Sequence, residues 1–287
     1  ATITTQILRG AHVAMVLFLG FLVFPPSRKK VMSIAWYDVL LACIGAGTIV
    51  YMLLDFDAFI YRAVTPDPWD LICGITLIVL ILEATRRSTG WVMPIVVILF
   101  LIYAYIGPEL PAPWTHRGYS IKRIVGHMYM TLEGIFGVPI DVSSTFIILF
   151  TIYGAILQYS GAGKFFIDFS FRLMGGKPSS AGRTVTMASF LLGGPSGSGV
   201  ATTVTLGSVA YPMLQRAGYD KESAGGLLSA GGIGAIISPP VLGAAAFLIA
   251  EILKVSYLQV IKMALVPTIL YYWSIFLMVE FDAKRFG

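Results

Sequence analysis

Between residues 187 and 250 the chain is apolar enough for lipid, yet it is interrupted twice. One interruption is Gly193-Gly194-Pro195-Ser196-Gly197-Ser198-Gly199 and the other is Ser238-Pro239-Pro240. Glycine and proline expose or remove backbone hydrogen-bonding groups. Inside a bilayer such a break persists only where protein, water or a bound solute satisfies those groups again. Two breaks at matching depth therefore suggest a solute site. Half-helices that end near the membrane midplane offer N–H groups to anions and carbonyls to small cations.

Composition settles the class. Hydrophobic residues make up 57% of the 287, charged residues 12%, and the mean hydropathy is +0.82, too little polarity to cover a water-soluble surface. The expected fold is all-α and polytopic. The net charge of +5 does not point to nucleic acid, because the 20 Lys and Arg sit in short clusters between apolar runs, as in loops beside an anionic leaflet. Cys43 and Cys73 lie inside apolar runs and read as small buried hydrophobes rather than a disulfide or metal pair. The chain opens at Ala1 on TITTQILRG without a cleavable signal-peptide pattern and leads straight into a span, so residues are expected upstream.

A span takes roughly 20 apolar residues, fewer with interfacial anchors. Candidates are residues 10–24, 36–54, 69–82, 90–106, 138–159, 224–253 and 257–279, about seven crossings, with 185–214 between the fifth and sixth. If the loop of Arg28, Lys29 and Lys30 is cytoplasmic, that side also holds Arg86, Arg87, Lys164, Arg172, Lys177, Arg183, Arg216, Lys221, Lys284 and Arg285. The other side holds Arg9, Arg62, Arg117, Lys122, Arg123, Lys254 and Lys262, a split of 13 against 7 in the sense of the positive-inside rule.

That count requires 185–214 to enter and leave on one face. Arg183 precedes it and Arg216 and Lys221 follow it, so a hairpin dipping in from the cytoplasm, with its tip at 195–199, satisfies both basic flanks. The rival is one kinked span, which would invert everything after it. Before the hairpin, KFFIDFSFRL at 164–173 places Phe165, Phe166, Phe169 and Leu173 on one helical face, the pattern of a helix lying in the membrane interface. Residues 119–137 read as a partly amphipathic outer segment ending in Glu133-Gly134-Ile135-Phe136-Gly137.

Catalytic chemistry finds little support. His12, His116 and His127 are far apart and not at metal-ligand spacing, and no carboxylate, Cys or His cluster falls within one span. Gly197-Ser198-Gly199 lacks the preceding strand of a nucleophile elbow, and the glycine run lacks the Lys-Ser/Thr ending of a phosphate loop. The broken region offers uncharged polarity instead: Ser196, Ser198, Thr202, Thr203, Thr205 and Ser208 after the first break, and Ser229, Gly231, Gly232, Gly234 and Ser238 before the second. No Asp, Glu, Lys or Arg occurs between Thr184 and Leu214 or between Ser223 and Ala250. An anion held there would rely on helix dipoles, hydroxyls, amides and co-bound cations, sodium being a hard cation suited to oxygen ligands. The competing explanation is close helix packing through small residues.

Taken together, GGPSGSGVATTVTLGS, PMLQRAGYDKESAGGLL and SPPVLGAAAFLIAE resemble the large permease subunit of tripartite ATP-independent periplasmic (TRAP) transporters. EATRRSTGW and EGIFGVPIDVSSTFIILFTIYGAILQYSGAGKFFIDFSF resemble the fused permeases in which small and large membrane subunits form one polypeptide, working with a TAXI-type periplasmic binding protein. The likeness covers nearly the whole chain and is specific from Glu133 onward.

The resemblance implies a permease rather than an enzyme, with sodium as coupling ion and no other cofactor. Its solutes would be organic acids such as C4 or C5 dicarboxylates or oxo acids. Its partners would be a TAXI-type solute-binding protein, the remaining C-terminal half of the permease, the organic anion and the lipid bilayer of a bacterial or archaeal cytoplasmic membrane. It further implies an elevator built from two inverted repeats, with 164–173, 185–214, 224–253 and 257–279 as the arm helix, re-entrant hairpin, broken helix and closing span of the first. The implied site is Gly194, Pro195, Ser196, Gly197, Ser198 and Gly199 at the hairpin tip, Thr202 behind it, and Gly232, Gly234, Ser238 and Pro239 at the break. Sodium would sit at Ser196, Ser198, Ser238 and neighbouring carbonyls. Thr202 departs from the acidic or amide residue often found there in relatives.

The implied segmentation is a small-subunit-like scaffold at 1–110, a connecting outer segment and span at 111–163, and the first transport repeat at 164–287. A single repeat leads to the expectation of an incomplete permease. The reading from another class is a non-transporting membrane scaffold or accessory subunit. A passive channel is disfavoured because no ring of charged or aromatic pore residues is visible.

Overall fold

The computed structural model describes residues 4–26, 34–175 and 179–286, all of them helical or in short connections. The basic residues Arg28, Lys29, Lys30 and Lys177 of the orientation count lie outside them. Among the described residues, six helices are long and apolar enough to cross a membrane: Thr5–Val23, Trp36–Leu54, Pro68–Thr89, Val92–Glu109, Val138–Ile156 and Tyr257–Lys284. The chain divides into two compact units, Ala1–Ser144 and Thr145–Gly287.

The first unit is built on α1 (Thr5–Val23), α2 (Trp36–Leu54), the short α3 (Phe56–Tyr61) and α4 (Pro68–Thr89), followed by α5 (Val92–Ile106), α6 (Ile121–Met130) and α7 (Val138–Val142). Helices α1 and α2 run antiparallel, since Gly10 sits against Ile49 and Met52 while Gly45 sits against Leu17. Val13, Leu17, Phe21, Ile49, Met52, Leu77 and Leu80 form the core. The 119–137 segment caps one end of it. Val125, Tyr129 and Met130 of α6 are buried there, and the Tyr129 hydroxyl donates to the Thr48 carbonyl at 2.5 Å.

Span α4 is seven residues longer at its C-terminus than the apolar run 69–82 predicted. Its last turns, Glu83 to Thr89, are polar but helical, because Glu83 pairs with Arg86 at 2.7 Å and Arg87 at 2.8 Å, three and four residues on. Arg87 also reaches Asp38 at the start of α2, at 2.7 Å with both side chains 3% exposed. At the other end of the bundle, Asp70 takes two hydrogen bonds from Arg62, at 3.0 and 3.2 Å, and one from Tyr51 at 2.8 Å. The bond to Asp70 holds the Arg62 guanidinium far above its usual pKa. Arg9 makes a double contact with Asp141, 2.9 Å each, and donates to the Phe136 carbonyl at 2.7 Å. Arg9, Arg62 and Arg87 are therefore neutralised by carboxylates rather than free loop charges, and they carry less topological weight than a bare residue count assigns them.

A π-helical turn, Ser143–Ile147, leads from the first unit into α8 (Ile148–Tyr159) of the second, followed by α9 (Ala162–Met174). Helix α9 packs against the unit through Ile167 and Ser170; of the four apolar residues expected on one face, Phe165, Phe169 and Leu173 are exposed and Phe166 is half-buried. Then come α10 (Ser180–Ser196), α11 (Gly199–Arg216), α12 (Lys221–Ile237), α13 (Ala244–Leu253) and α14 (Tyr257–Phe286).

The expected hairpin forms, rather than a single kinked span. Along α12, positions 231 and 235 sit against Ser189 and Gly193 of α10, so these two helices run parallel. Positions 228 and 232 sit against Gly207 and Gly199 of α11, which therefore runs the other way. The two arms turn at Gly197 and Ser198. Gly197 has φ of 59°, a left-handed conformation that suits glycine, and a side chain there would meet the Val241 carbonyl at 2.8 Å. Val185, Ala188, Leu206, Ala210, Leu214 and Leu228 fill the core between the arms and α12. The segment 224–253, counted as the sixth crossing, is two half-helices, α12 and α13, parted at 238–243.

Candidate functional site

The hairpin tip and the parting between α12 and α13 lie together. The Val241 N–H donates to the Gly194 carbonyl at 3.0 Å. Beside this contact is a cavity of about 410 Å³. Ser196, Gly197, Ser198 and Gly199 line one side of it, Val241, Leu242, Gly243 and Ala244 another, and Ile147, Phe150, Thr151 and Phe247 a third.

Two helices begin at this cavity. Helix α11 starts at Gly199, with the Ser198 hydroxyl as its cap, accepting from the Ala201 N–H at 3.3 Å. Helix α13 starts at Ala244, where Gly243 takes the capping position without a side chain. The first N–H groups of a helix have no partner within it, and the dipole adds positive potential, so two such ends facing one cavity favour an anion. The wall is otherwise uncharged. Its apolar side is an aromatic cluster: Phe247 stacks on Tyr257 with centroids 4.5 Å apart and on Phe146 at 5.6 Å, and Phe150 lies 5.2 Å from Phe247.

The remaining predicted site residues lie around the cavity rather than in its wall. Gly194 is buried with its carbonyl given to Val241, and a side chain on it would strike the Pro239 carbonyl. Pro195 occupies the last turn of α10. Thr202 is turned into the protein interior, 1% exposed, with its hydroxyl unpartnered. Gly232 lies against Thr203 and the Gly199 carbonyl, and Gly234 against Tyr271 and Tyr272. Ser238 is fully buried and donates to the Gly234 carbonyl at 2.7 Å, with the Tyr272 hydroxyl 3.4 Å away. Ser196 and Ser198 thus share the cavity, whereas Ser238 faces α14.

The break is also satisfied differently from what its sequence suggests. The Ile236 carbonyl accepts from the Gly243 N–H at 2.7 Å, and the Ile237 carbonyl lies 2.7 Å from the Thr268 hydroxyl. The Tyr257 hydroxyl accepts from the Leu242 N–H at 2.9 Å and donates to the Pro240 carbonyl at 3.1 Å. Protein groups, not a solute, meet these freed backbone atoms. Sequence reasoning missed this role of α14, although Tyr257, Thr268, Tyr271 and Tyr272 recur at helical spacing on one face of an otherwise apolar span.

Residues 76–287 match the family described as tripartite ATP-independent periplasmic transporter, DctM component. The chain belongs to that family. Among curated relatives, it is 35% identical over 91 residues to the 2,3-diketo-L-gulonate TRAP transporter large permease protein YiaN of Escherichia coli. It is 31% identical, again over 91 residues, to the C4-dicarboxylate TRAP transporter large permease protein DctM of Rhodobacter capsulatus. Each stretch is 32% of this chain and 21% of the relative, so the alignments span about a fifth of the length of the curated proteins. No solved structure matches the chain. Membership of the DctM family accounts for the run of apolar helices, and the chain is a multi-pass membrane protein.

Proposed function

We propose that this chain is the N-terminal part of the permease of a sodium-coupled secondary importer of the inner membrane, taking up organic acids handed over by a TAXI-type periplasmic binding protein. The observation that carries the reading is the meeting of two helix N-termini, the Ser196 and Ser198 hydroxyls and the broken backbone around one uncharged cavity, in a chain of the DctM family. The relatives named for 2,3-diketo-L-gulonate and C4-dicarboxylate are both named for anions, which suits the positive ends of α11 and α13.

In this reading the hairpin α10–α11 is re-entrant and α9 is the arm that links a moving unit to a fixed one, as an elevator requires. Fusion of small- and large-subunit parts places residues 1–110 as scaffold. Sodium binds at Ser196, Ser198 and nearby carbonyls, offsetting the charge of the anion. The remaining half of the permease supplies the other side of the site.

The experiment is uptake of labelled organic acids by the full-length permease in proteoliposomes, with and without the cognate binding protein and with sodium exchanged for choline. The expected result is accumulation that requires both. Uptake indifferent to sodium and to the binding protein overturns the reading, and no uptake in any combination overturns it in favour of a non-transporting membrane scaffold.

A further inference from the structure

A helix that stops in mid-course leaves carbonyls and amides that must find partners, and the usual expectation in a transporter-like site is that water or the bound solute supplies them. Here, besides the Gly194 carbonyl that meets Val241 and the bond between Gly243 and Ile236, the suppliers sit on one face of a single neighbouring helix. Tyr257 holds both the Leu242 N–H and the Pro240 carbonyl through one hydroxyl. Eleven residues on, the Thr268 hydroxyl lies equally close, at 2.7 Å, to the Ile237 carbonyl and to the Ala264 carbonyl of its own helix. A turn further, Tyr272 places its hydroxyl 3.4 Å from both the Ser238 hydroxyl and the Gly231 carbonyl. Tyr271, on the same face, donates to the Ala230 carbonyl at 2.8 Å, well inside α12 and away from the parting.

The Tyr272 contacts are buried, those of Thr268 and of Tyr257 to Leu242 are part-buried, and the Tyr257 bond to the Pro240 carbonyl is exposed. Phe190 packs edge-on against Tyr272 at 5.2 Å, and Phe247 stacks on the ring of Tyr257. The Tyr257 ring thus touches the cavity wall through Phe247 while its hydroxyl grips the loop that forms the other wall. Leu242, whose N–H it accepts, is itself a lining residue.

We infer that Tyr257, Thr268 and Tyr272 are positioning residues, a hydroxyl ladder on α14 that holds the α12–α13 break open without solute, so that the cavity is preformed. The inference rests on the proposed reading of the cavity only for its effect on uptake. The ladder itself is testable without transport. A preformed site spends none of its binding free energy on ordering the loop, so loss of a rung weakens solute binding rather than the maximal rate.

The test uses the full-length permease in nanodiscs, without added solute, and follows amide hydrogen exchange across residues 238–247. Removing one net hydrogen bond should speed exchange at Leu242 about three- to tenfold in Tyr257→Phe. Thr268→Val should loosen the same loop, Thr268→Ser should restore it, and Tyr271→Phe should leave it unchanged. In uptake, Tyr257→Phe and Thr268→Val should raise the half-saturation constant by a similar factor with the maximal rate kept. Unchanged exchange in both Tyr257→Phe and Thr268→Val overturns the ladder. So does equal loosening by Tyr271→Phe, or failure of Thr268→Ser to restore, because either would mark general helix packing. Exchange that changes as expected while the uptake constants stay put upholds the ladder and counts against the cavity as the solute site.

Discussion

The Val241 N–H donates to the Gly194 carbonyl at 3.0 Å, tying the loop where one helix stops to the last turn of the hairpin's first arm. The backbones come this close only because residue 194 has no side chain. A Cβ there would press on the Pro239 carbonyl, a backbone atom with no freedom to rotate away. Gly194→Ala should therefore separate tip from break and destabilise the protein by about 1–3 kcal/mol, in the range of overpacking changes. Gly225→Ala is the matched control, on α12 with open space around it, and should be neutral or stabilise by up to about 1 kcal/mol through helix propensity. Thermal midpoints of the two variants in detergent decide this, and equal midpoints would show that the tip does not depend on that approach.

In the first unit the strongest constraint is the pair of Arg87 with Asp38. Both side chains are almost wholly buried, and Arg87 also carries Glu83 and lies over the Phe21 ring at 5.0 Å. Breaking such a pair leaves one charge without a partner, at a cost of about 3–5 kcal/mol. Arg87→Met should approach that loss, because among the described residues Asp38 then retains the Ala35 N–H at 3.3 Å. Adding Asp38→Asn removes the stranded charge and should recover part of the stability. A double variant no more stable than Arg87→Met would refute the pairing.

One helix start should respond to pH. Asp220 caps α12 by accepting from the Ser223 N–H at 2.6 Å, and this bond holds its carboxyl below the usual carboxylate range. A depressed folded pKa means the stabilisation is complete above the unfolded value of about 3.9 and fades as pH falls through the folded value. Asp220→Ala should melt below the parent at pH 7, with the gap closing only below about pH 4. A gap of constant size into the acid range would show that the carboxylate charge contributes nothing.

The breaks and the hairpin were legible because their signals are local: Gly-Pro-Ser-Gly at one site and Ser-Pro-Pro at the other stop a helix whatever surrounds them. What surrounds them was not legible. Val241 and Gly194 are 47 residues apart, and the hydroxyl that holds Leu242 comes from Tyr257 on α14, beyond the intervening α13. A break reads in sequence as a demand for a partner, and sequence does not say whether that partner is solute or protein. The polar end of α4 misled for a related reason. EATRRST looks like a loop until its charges are seen to pair along the helix and with Asp38. Thr202 was drawn to the site by its place after the tip, but its helical phase, shared with Leu206, Ala210 and Leu214, turns it inward.

The two serines at the tip separate architecture from solute chemistry. Ser198 caps α11 and lines the cavity, whereas Ser196 lines the cavity from the last turn of α10 and caps nothing. Ser198→Ala removes both a cap and a ligand group. It should lose about 0.5–2 kcal/mol of stability and also raise the half-saturation constant for uptake. Ser196→Ala should leave the thermal midpoint within about 0.5 kcal/mol equivalent of the parent, as a change away from caps and cores does, while still weakening uptake. If sodium is held at both hydroxyls, the two variants should shift the sodium dependence of uptake to higher concentration as well as that of the solute. Parallel measurement of melting and of sodium titrations in both variants distinguishes these effects. Ser196→Ala with parental sodium and solute constants would remove the tip hydroxyls from the site and leave only the helix N-termini to hold the anion.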